Sequence, residues 1–364
     1  MVAAGGTGGH LFPAEALSVA LAGRGVAVEL ATDERASRYG HTFPARATHL
    51  IPSATIRGRD PLSLARTAAT LTLGVSKAWL VLGRARPAVV VGFGGYPSIP
   101  PVLAATLRGI PTVIHEQNGV MGRANRFLAK RVIAIATGFS GVTDRDSVLA
   151  AKATHVGNPV RPAIIEAAKV PYVVPGAGGR LNLLVFGGSQ GARVMADIVP
   201  PAIEALDPSL RARLSVIQQA REEDAARVQT AYARLGIEAE VTPFFADLPA
   251  RMAASHMVIS RSGASTVAEL AAIGRPAFLV PLPTALDQDQ HANASALEQV
   301  GGAILITQDD FTPARLASDI AALMNAPDRL AAMAAAARTA GTIDAADRLA
   351  ELVLKVAGVL PATH

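Results

Sequence analysis

The chain has 364 residues, half of them hydrophobic, with 34 Lys and Arg against 29 Asp and Glu, a net charge of +5, and no cysteine. That length exceeds one ordinary core and calls for two domains, while the missing thiols exclude disulfides, thiolate metal sites and cysteine nucleophiles. The modest positive excess, without a basic run or interleaved aromatics, excludes a nucleic-acid footprint and suits anionic ligands or an anionic membrane surface.

The first residues carry neither a basic n-region nor a long apolar stretch, so no secretory signal is expected there. Short aliphatic runs predict strands at 26–31, 88–91, 112–114, 132–135, 181–186, 214–217, 257–260, 277–280 and 303–306. Longer Ala- and Leu-rich stretches predict helices at 13–22, 64–82, 192–206, 265–273 and 312–324, and one amphipathic helix over 344–359. Strands alternating with helices imply an α/β fold with parallel sheets. The uncharged stretch 87–107 is long enough to span a membrane. Gly92, Gly94, Gly95, Pro97, Pro100 and Pro101 interrupt it, so it reads as strand, glycine loop, helix. Only Met1–Ala4 precede the first glycine loop, which makes the first strand unusually short.

The pattern occurs twice. A strand runs into "GGTGGH" (5–10) in the first half and into "GGSQGA" (187–192) in the second, and "GFGGYPS" (92–98) follows another strand. "HVGNPVRP" (155–162) punctuates the chain between the halves. The expected organisation is two doubly wound Rossmann-like domains, 1–160 and 161–343, with the 344–364 tail packing back on the first. Ligands in such sheets bind outside the carboxyl ends of the strands, so the two halves would share one cleft.

One glycine loop after a strand is only a tight turn. Three are read as anion sites, where backbone N–H groups meet phosphates. In "SRSGASTVAEL", Ser262-Gly263 marks a turn and a helix begins at Ala264 and Ser265. Free N–H groups there favour a diphosphate. Glu269 then accepts from a ribose diol, or is a capping glutamate. Asp287, Gln288, Asp289, Gln290, His291 and Asn293 crowd one loop; amides suit a hydroxyl-rich sugar, and the alternative is a solvated loop with a helix cap. His115, Glu116, Gln117 and Asn118 follow a buried strand. Asp287-Gln288-Asp289 has D-x-D spacing but is placed in the sugar loop rather than on a metal; no G-x-S-x-G elbow is present, and neither a metal nor a cofactor is expected.

"GGTGGH", "GGYPS", "HEQN", "VGNPVR", "GGSQGA", "SRSGASTVAE" and "DQDQHANA" together resemble, in this order, the MurG family of N-acetylglucosaminyltransferases. The resemblance implies a GT-B fold and inverting, metal-independent transfer from UDP-N-acetylglucosamine to undecaprenyl-pyrophosphoryl-N-acetylmuramoyl-pentapeptide, at the cytoplasmic face of the bacterial inner membrane. By motif position, Ser189 contacts the donor diphosphate, and Ala264, Ser265, Thr266, Val267, Ala268 and Glu269 the nucleotide. Asn118 and Arg161 are further donor contacts, Gln290 holds the sugar, Thr7, Gly8 and Gly9 line the site, and the Phe245 backbone reads the uracil. Gly5, Gly6, Gly94, Gly95 and Tyr96 are expected on the acceptor. "DQDQHANA" departs from relatives that carry two adjacent glutamines or Asp-His-Gln.

Transfer to a sugar hydroxyl needs a base. His10 stands where loop becomes helix, and a helix start favours its neutral form. It is assigned as the base, with Glu116 as the fallback. Rival readings make their own demands. Another GT-B transferase acting on a glycolipid would keep the donor half and lose the first two loops. A nicotinamide-dependent dehydrogenase needs G-x-G-x-x-G and an acidic residue about 20 residues on; Asp33 is present, but the glycine spacing is wrong. A non-catalytic nucleotide module would need neither His10 nor an acceptor half. Between 57 and 86, Leu64, Leu71, Val75 and Trp79 are flanked by Arg57, Arg59, Arg66, Lys77, Arg84 and Arg86. That is a basic-rimmed apolar helix suited to anionic lipid, or a core helix with an arginine-rich solvent face.

Overall fold

Runs such as "TVIHE" and "LNLLVF" lack a polar face, and in the computed structural model they are the inner strands of parallel sheets covered by helices, the environment such runs require. The structure describes residues 1–34, 43–54, 60–176, 178–188 and 191–359. The chain divides into two compact units: Met1–Arg161 together with the tail from Ile343, and Pro162–Thr342.

The first unit holds β1 (Val2–Ala3), β2 (Glu29–Thr32), β3 (Ala47–Leu50), β4 (Val90–Gly92), β5 (Thr112–Glu116), β6 (Ala134–Thr137) and β7 (Ala153–His155). Their order across the sheet is β3-β2-β1-β4-β5-β6-β7. The second unit holds β8 (Leu181–Phe186), β9 (Leu214–Gln219), β10 (Glu238–Thr242), β11 (Met257–Ser260), β12 (Ala277–Leu279) and β13 (Ala303–Leu305), in the order β10-β9-β8-β11-β12-β13. The order in which strands are added reverses once in each parallel sheet, between β1 and β4 and between β8 and β11. Loops leaving neighbouring strands at such a switch point diverge and open a crevice. "GGTGGH" leaves β1 and "GGYPS" leaves β4; "GGSQGA" leaves β8 and "SRSG" leaves β11. The motifs sit where doubly wound sheets bind ligands.

The two-residue β1 is enough to carry the centre of its sheet. Val2 and Ala3 pair with Leu30 and Ala31 on one side and with Val91 and Gly92 on the other. The tail helix Ala345–Val356 lays Leu349, Ala350 and Val353 into the same core as Leu17 and Leu21 of the helix Gly8–Ala22, and Arg24 pairs with Asp347 at 2.8 Å. Burying such aliphatic side chains stabilises by roughly 1.5–3 kcal/mol each, which ties the end of the chain to its beginning.

Several boundaries differ from expectation. The first helix starts at Gly8 rather than Pro13. Proline's preference for a first helical position misplaces the start, because Gly8 and Gly9 adopt helical geometry ahead of it. The strands expected at 26–31 and 132–135 lie at Glu29–Thr32 and Ala134–Thr137. Strands β3, β7 and β10 were missed. All three are edge strands with polar or charged sequences, "ATHL", "ATH" and "EAEVT", and edges use such residues.

Candidate active site

The four opening glycines have four different reasons. A Cβ at Gly5 would meet Asp33 Oδ1 and Thr32 Oγ1 at 2.8 Å, so Gly5 is set by packing against the end of β2. Gly6 has φ +83° and donates its N–H to Asp33 Oδ1 at 3.1 Å. A Cβ at Gly8 would meet the Phe12 ring at 2.9 Å, one helical turn on. Gly9 is exposed, and a Cβ there would find nothing nearer than Thr7 Oγ1 at 3.7 Å. Asp33, weighed in the sequence only as a mark of a dinucleotide enzyme, instead holds the loop. The Gly6 amide is thus already used inside the loop.

His10 is the third residue of its helix, within the first turn rather than at the junction of loop and helix expected from sequence. Gly94 and Gly95 have φ of +76° and +67°, and a Cβ at Gly95 would lie 3.1 Å from His10 Nε2. The loops after β1 and β4 are therefore packed together, imidazole against glycine. Tyr96 begins a short 3-10 turn, Tyr96–Ser98. Arg161 stacks its guanidinium over the Phe12 ring at 4.2 Å.

Glu116 is 2% exposed at the end of β5. Its Oε1 accepts from Asn118 N at 3.0 Å and Asn118 Nδ2 at 3.2 Å. Its Oε2 accepts from Gly122 N at 2.9 Å and Asn125 Nδ2 at 2.8 Å. Burial pushes its pKa up, and these hydrogen bonds oppose the rise. His115 is fully buried; it bonds the Gly157 carbonyl at 3.0 Å, and burial lowers its pKa to about 4. It serves the interior rather than the site.

In the second unit, the helix Ala264–Ile273 begins at Gly263 without a side-chain cap. The Ser265 hydroxyl beside that start is buried and has no hydrogen-bond partner among the described residues. Ala264, Val267 and Glu269 are buried, with Ser265, Thr266 and Ala268 half-buried. Glu269 is the sixth helical residue, beyond the third position that a capping box uses. The loop after β8 needs its glycines: Gly188 and Gly191 have φ of +88° and +66°, and a Cβ at Gly187 would strike the Ala192 backbone nitrogen at 2.1 Å. Ser189 lies outside the described residues.

Gln290 stands in the first turn of the helix Asp289–Gln299 rather than in a loop. Its Oε1 accepts from Leu282 N at 3.0 Å, and its carbonyl accepts from Ser262 Oγ at 2.8 Å. Asn293 Nδ2 donates to the Ser262 carbonyl at 3.2 Å. The "SRSG" turn and the "DQDQHANA" segment are thus tied into one rim. Asp287 and Gln288, just ahead of it, have φ of +58° and +55°, a strained conformation of the kind that gathers at ligand sites. The Phe245 ring is buried beneath Arg251 at 4.7 Å, while Phe244 is 66% exposed. Among the described residues no group of three His, Asp or Glu could hold a metal ion. Sequence reasoning missed Phe12 and Asn125, whose only signal was proximity to a motif, and read Ser262 only as a turn residue.

Two family models match the chain: the glycosyltransferase family 28 N-terminal domain over residues 1–137 and its C-terminal domain over 182–349. A protein of Rhodopseudomonas palustris (strain BisB18), named UDP-N-acetylglucosamine--N-acetylmuramyl-(pentapeptide) pyrophosphoryl-undecaprenol N-acetylglucosamine transferase, is 63% identical over 99% of this chain and 96% of its own. A protein of the same name from Nitrobacter winogradskyi is 62% identical over 98% and 97%. Among solved structures, Acinetobacter baumannii MurG superposes with a TM-score of 0.78 at 29% identity, covering 98% of both chains. The UDP-GlcNAc 2-epimerase of Neisseria meningitidis, bound to UDP-GlcNAc, shares the fold alone, with a TM-score of 0.69 at 14% identity over 97% of this chain and 99% of its own. The two-unit α/β architecture is the GT-B fold, and with relatives 62–63% identical over nearly its whole length the chain belongs to the MurG family of glycosyltransferases.

Proposed function

We propose that this chain transfers N-acetylglucosamine from UDP-N-acetylglucosamine to the C4 hydroxyl of undecaprenyl-pyrophosphoryl-N-acetylmuramoyl-pentapeptide, inverting the anomeric centre. The second unit binds the donor and the first binds the acceptor. The observation that carries the donor assignment is the uncapped start of Ala264–Ile273 with the buried Ser265 hydroxyl beside it. Unsatisfied N–H groups and a positive helix end favour a diphosphate there, and the same groups stabilise the departing UDP. Glu269 accepts from the ribose, and Gln290 keeps its Nε2 donors for the sugar. Asn118 and Arg161 contact the donor as well.

The sequence motifs put Thr7, Gly8 and Gly9 beside the donor sugar and Gly5 and Gly6 on the acceptor; with the Gly6 amide used by Asp33, the acceptor phosphate moves to the amides of Thr7, Gly8 and Gly9, with Gly94, Gly95 and Tyr96 on the facing loop. His10 takes the proton from the attacking hydroxyl. Glu116 is set aside as a base, because its carboxylate already accepts four protein donors.

The enzyme works at the cytoplasmic face of the bacterial inner membrane, docked through the helix Pro61–Ala85. Gly74, Ala78 and Leu82 of that helix are buried, and Ala78 and Leu82 join the core of the first unit; the large apolar residues left outside this stripe support the docking reading. Leu73 and Leu80 are 61% and 62% exposed, and Leu62, Leu64 and Trp79 are exposed with them. Leu71 and Val75 are half-buried; Arg57 and Arg59 lie outside the described residues. Among the described residues no helix is long and apolar enough to cross a membrane.

The test is transfer of labelled N-acetylglucosamine from its UDP donor to a lipid-linked muramoyl acceptor. Product that binds a lectin for terminal N-acetylglucosamine and forms without added metal supports the reading. Absence of transfer, or equal transfer to a simple glycolipid, rejects it in favour of another GT-B activity.

A further inference from the structure

A carboxylate with four donors and no cation among the described residues beside it is an unusual thing to bury, since desolvation disfavours its charge. Glu116 is held in this way. Each oxygen takes two N–H groups, filling all the positions a carboxylate offers. Three of the four come from a single following segment: the backbone and side chain of Asn118 and the backbone of Gly122. The fourth comes from Asn125, 2% exposed, whose Nδ2 also donates to the His115 carbonyl at 3.0 Å. Asn125 in turn lies against the loop after β4, where a Cβ on Gly94 would approach its Nδ2 to 3.2 Å.

We infer that Glu116 and Asn125 form a buried positioning pair that folds residues 116–125 over the end of β5, aims Asn118, and seats the Gly94 loop. The inference rests on the proposed role of Asn118 as a donor contact. Chemistry explains the residue types. A glutamine at 116 has one acceptor oxygen, and its NH₂ would face two of the four donors. An aspartate reaches less far and cannot span Asn118 and Gly122 together.

The experiment is a double-mutant cycle on kcat/KM for the donor, with Glu116→Gln, Asn118→Ala and the double variant, each checked for an unchanged melting temperature. Losing a hydrogen bond to a charged group corresponds to about ten- to hundredfold. Each single variant should lose on that scale. The double variant should be no more than about threefold worse than the poorer single, because both act through one contact. The acid limb of the Glu116→Gln kcat profile should stay where it is in the wild type. If Glu116→Gln folds poorly, Asn125→Ala, which removes one donor, takes its place in the cycle. Losses that multiply overturn the pair's role and leave the Asn118 reading intact. Disappearance of the acid limb in Glu116→Gln makes Glu116 the base and also overturns it. Full activity in Asn118→Ala overturns the reading of Asn118 and the inference with it.

Discussion

Gly95 is the floor beneath His10: a side chain at Gly95 would begin 3.1 Å from the imidazole Nε2. The absence of a side chain at Gly95, in a loop that leaves a different strand, is what leaves room for the imidazole. General-base catalysis contributes about 10²–10⁴-fold. His10→Gln keeps a hydrogen-bonding group and loses basicity. Its kcat should fall on that scale, and the acid limb of the kcat profile should flatten. Retention of more than about a tenth of wild-type kcat with the same limb would make His10 a positioning residue. Gly95→Ala should also depress kcat, because it displaces the ring and strains a φ of +67°.

The glycines of the first loop separate fold from function. Gly8→Ala puts a methyl 2.9 Å from the Phe12 ring, and Phe12 carries Arg161 on its face. Overpacking of this kind costs about 1–3 kcal/mol, so the melting temperature should drop by several degrees. Gly9→Ala meets only Thr7 Oγ1, at an ordinary contact distance of 3.7 Å, and replaces a helical glycine. Its stability should hold or rise slightly, while its acceptor KM rises, because a methyl then lies where the phosphate approaches. Thermal melts beside acceptor titrations decide this; an unimpaired Gly9→Ala enzyme would remove the loop from the acceptor site.

How much of this was legible in the sequence follows from where each signal lives. Inner strands such as β5 and β8 are visible because burial on both faces leaves adjacent aliphatic residues, Val113-Ile114 in one and Leu183-Leu184-Val185 in the other. The edge strand "EAEVT" shows no such run and was passed over. Glycine loops are visible as composition, but composition is silent on cause. Gly5 and Gly9 look alike in sequence, and only the structure shows that Asp33 crowds one at 2.8 Å while the other has room for a side chain. Asn125 sits seven residues from the "HEQN" motif, and its link to Glu116 depends on how the intervening segment turns back. Spacing alone does not encode that.

Glu269 is the residue on which donor recognition should turn. It is buried on the helix whose uncapped start is assigned to the diphosphate. Removing a charged hydrogen-bond partner costs about 1.5–3 kcal/mol, so Glu269→Ala should raise the donor KM at least tenfold with the fold intact. The loss should be smaller for a 2′-deoxy donor, which lacks one hydroxyl to begin with. Calorimetric titration with UDP reads the same term without turnover. Unchanged UDP affinity would move the ribose contact elsewhere.

His115 predicts a pH dependence of stability. Burial lowers its pKa from the ordinary 6.5 to about 4, so the native state refuses a proton that the unfolded chain accepts below pH 6.5. Stability from this group is complete above the unfolded pKa and is lost as pH falls towards 4. At about 1.4 kcal/mol per pH unit, the loss is about 2 kcal/mol by pH 5 and about 3 kcal/mol in full. His115→Gln cannot titrate and can still donate to the Gly157 carbonyl. Urea unfolding at pH 7.5 and pH 5 should show the wild type losing about 2 kcal/mol more than the variant. Equal losses would mean that His115 is hydrated and titrates normally.

The surface helix Pro61–Ala85 should set where the enzyme works. Its buried stripe, Gly74, Ala78 and Leu82, repeats every four residues and is narrow. A Cβ on Gly74 would strike the Pro52 carbonyl, so small residues let the helix lie close and leave its large apolar residues outside. Leu73 and Leu80 fall on one exposed line with Lys77 and Arg84, at spacings of three and four residues. Arg108 stacks over Trp79 at 4.6 Å and donates to its carbonyl at 3.2 Å, fixing an aromatic ring beside a cation. Apolar insertion and attraction to anionic headgroups should therefore both contribute, and different variants separate them. Leu73→Ser with Leu80→Ser should weaken flotation with vesicles at every lipid composition. Lys77→Gln with Arg84→Gln should weaken it only on anionic vesicles, and more at low salt, because a basic residue near such a surface contributes about 1 kcal/mol and salt screens it. Neither pair touches the groups assigned to the donor or to His10, so kcat on a detergent-dispersed acceptor should stay at the wild-type value. Flotation that ignores both pairs would place membrane docking on another face of the first unit.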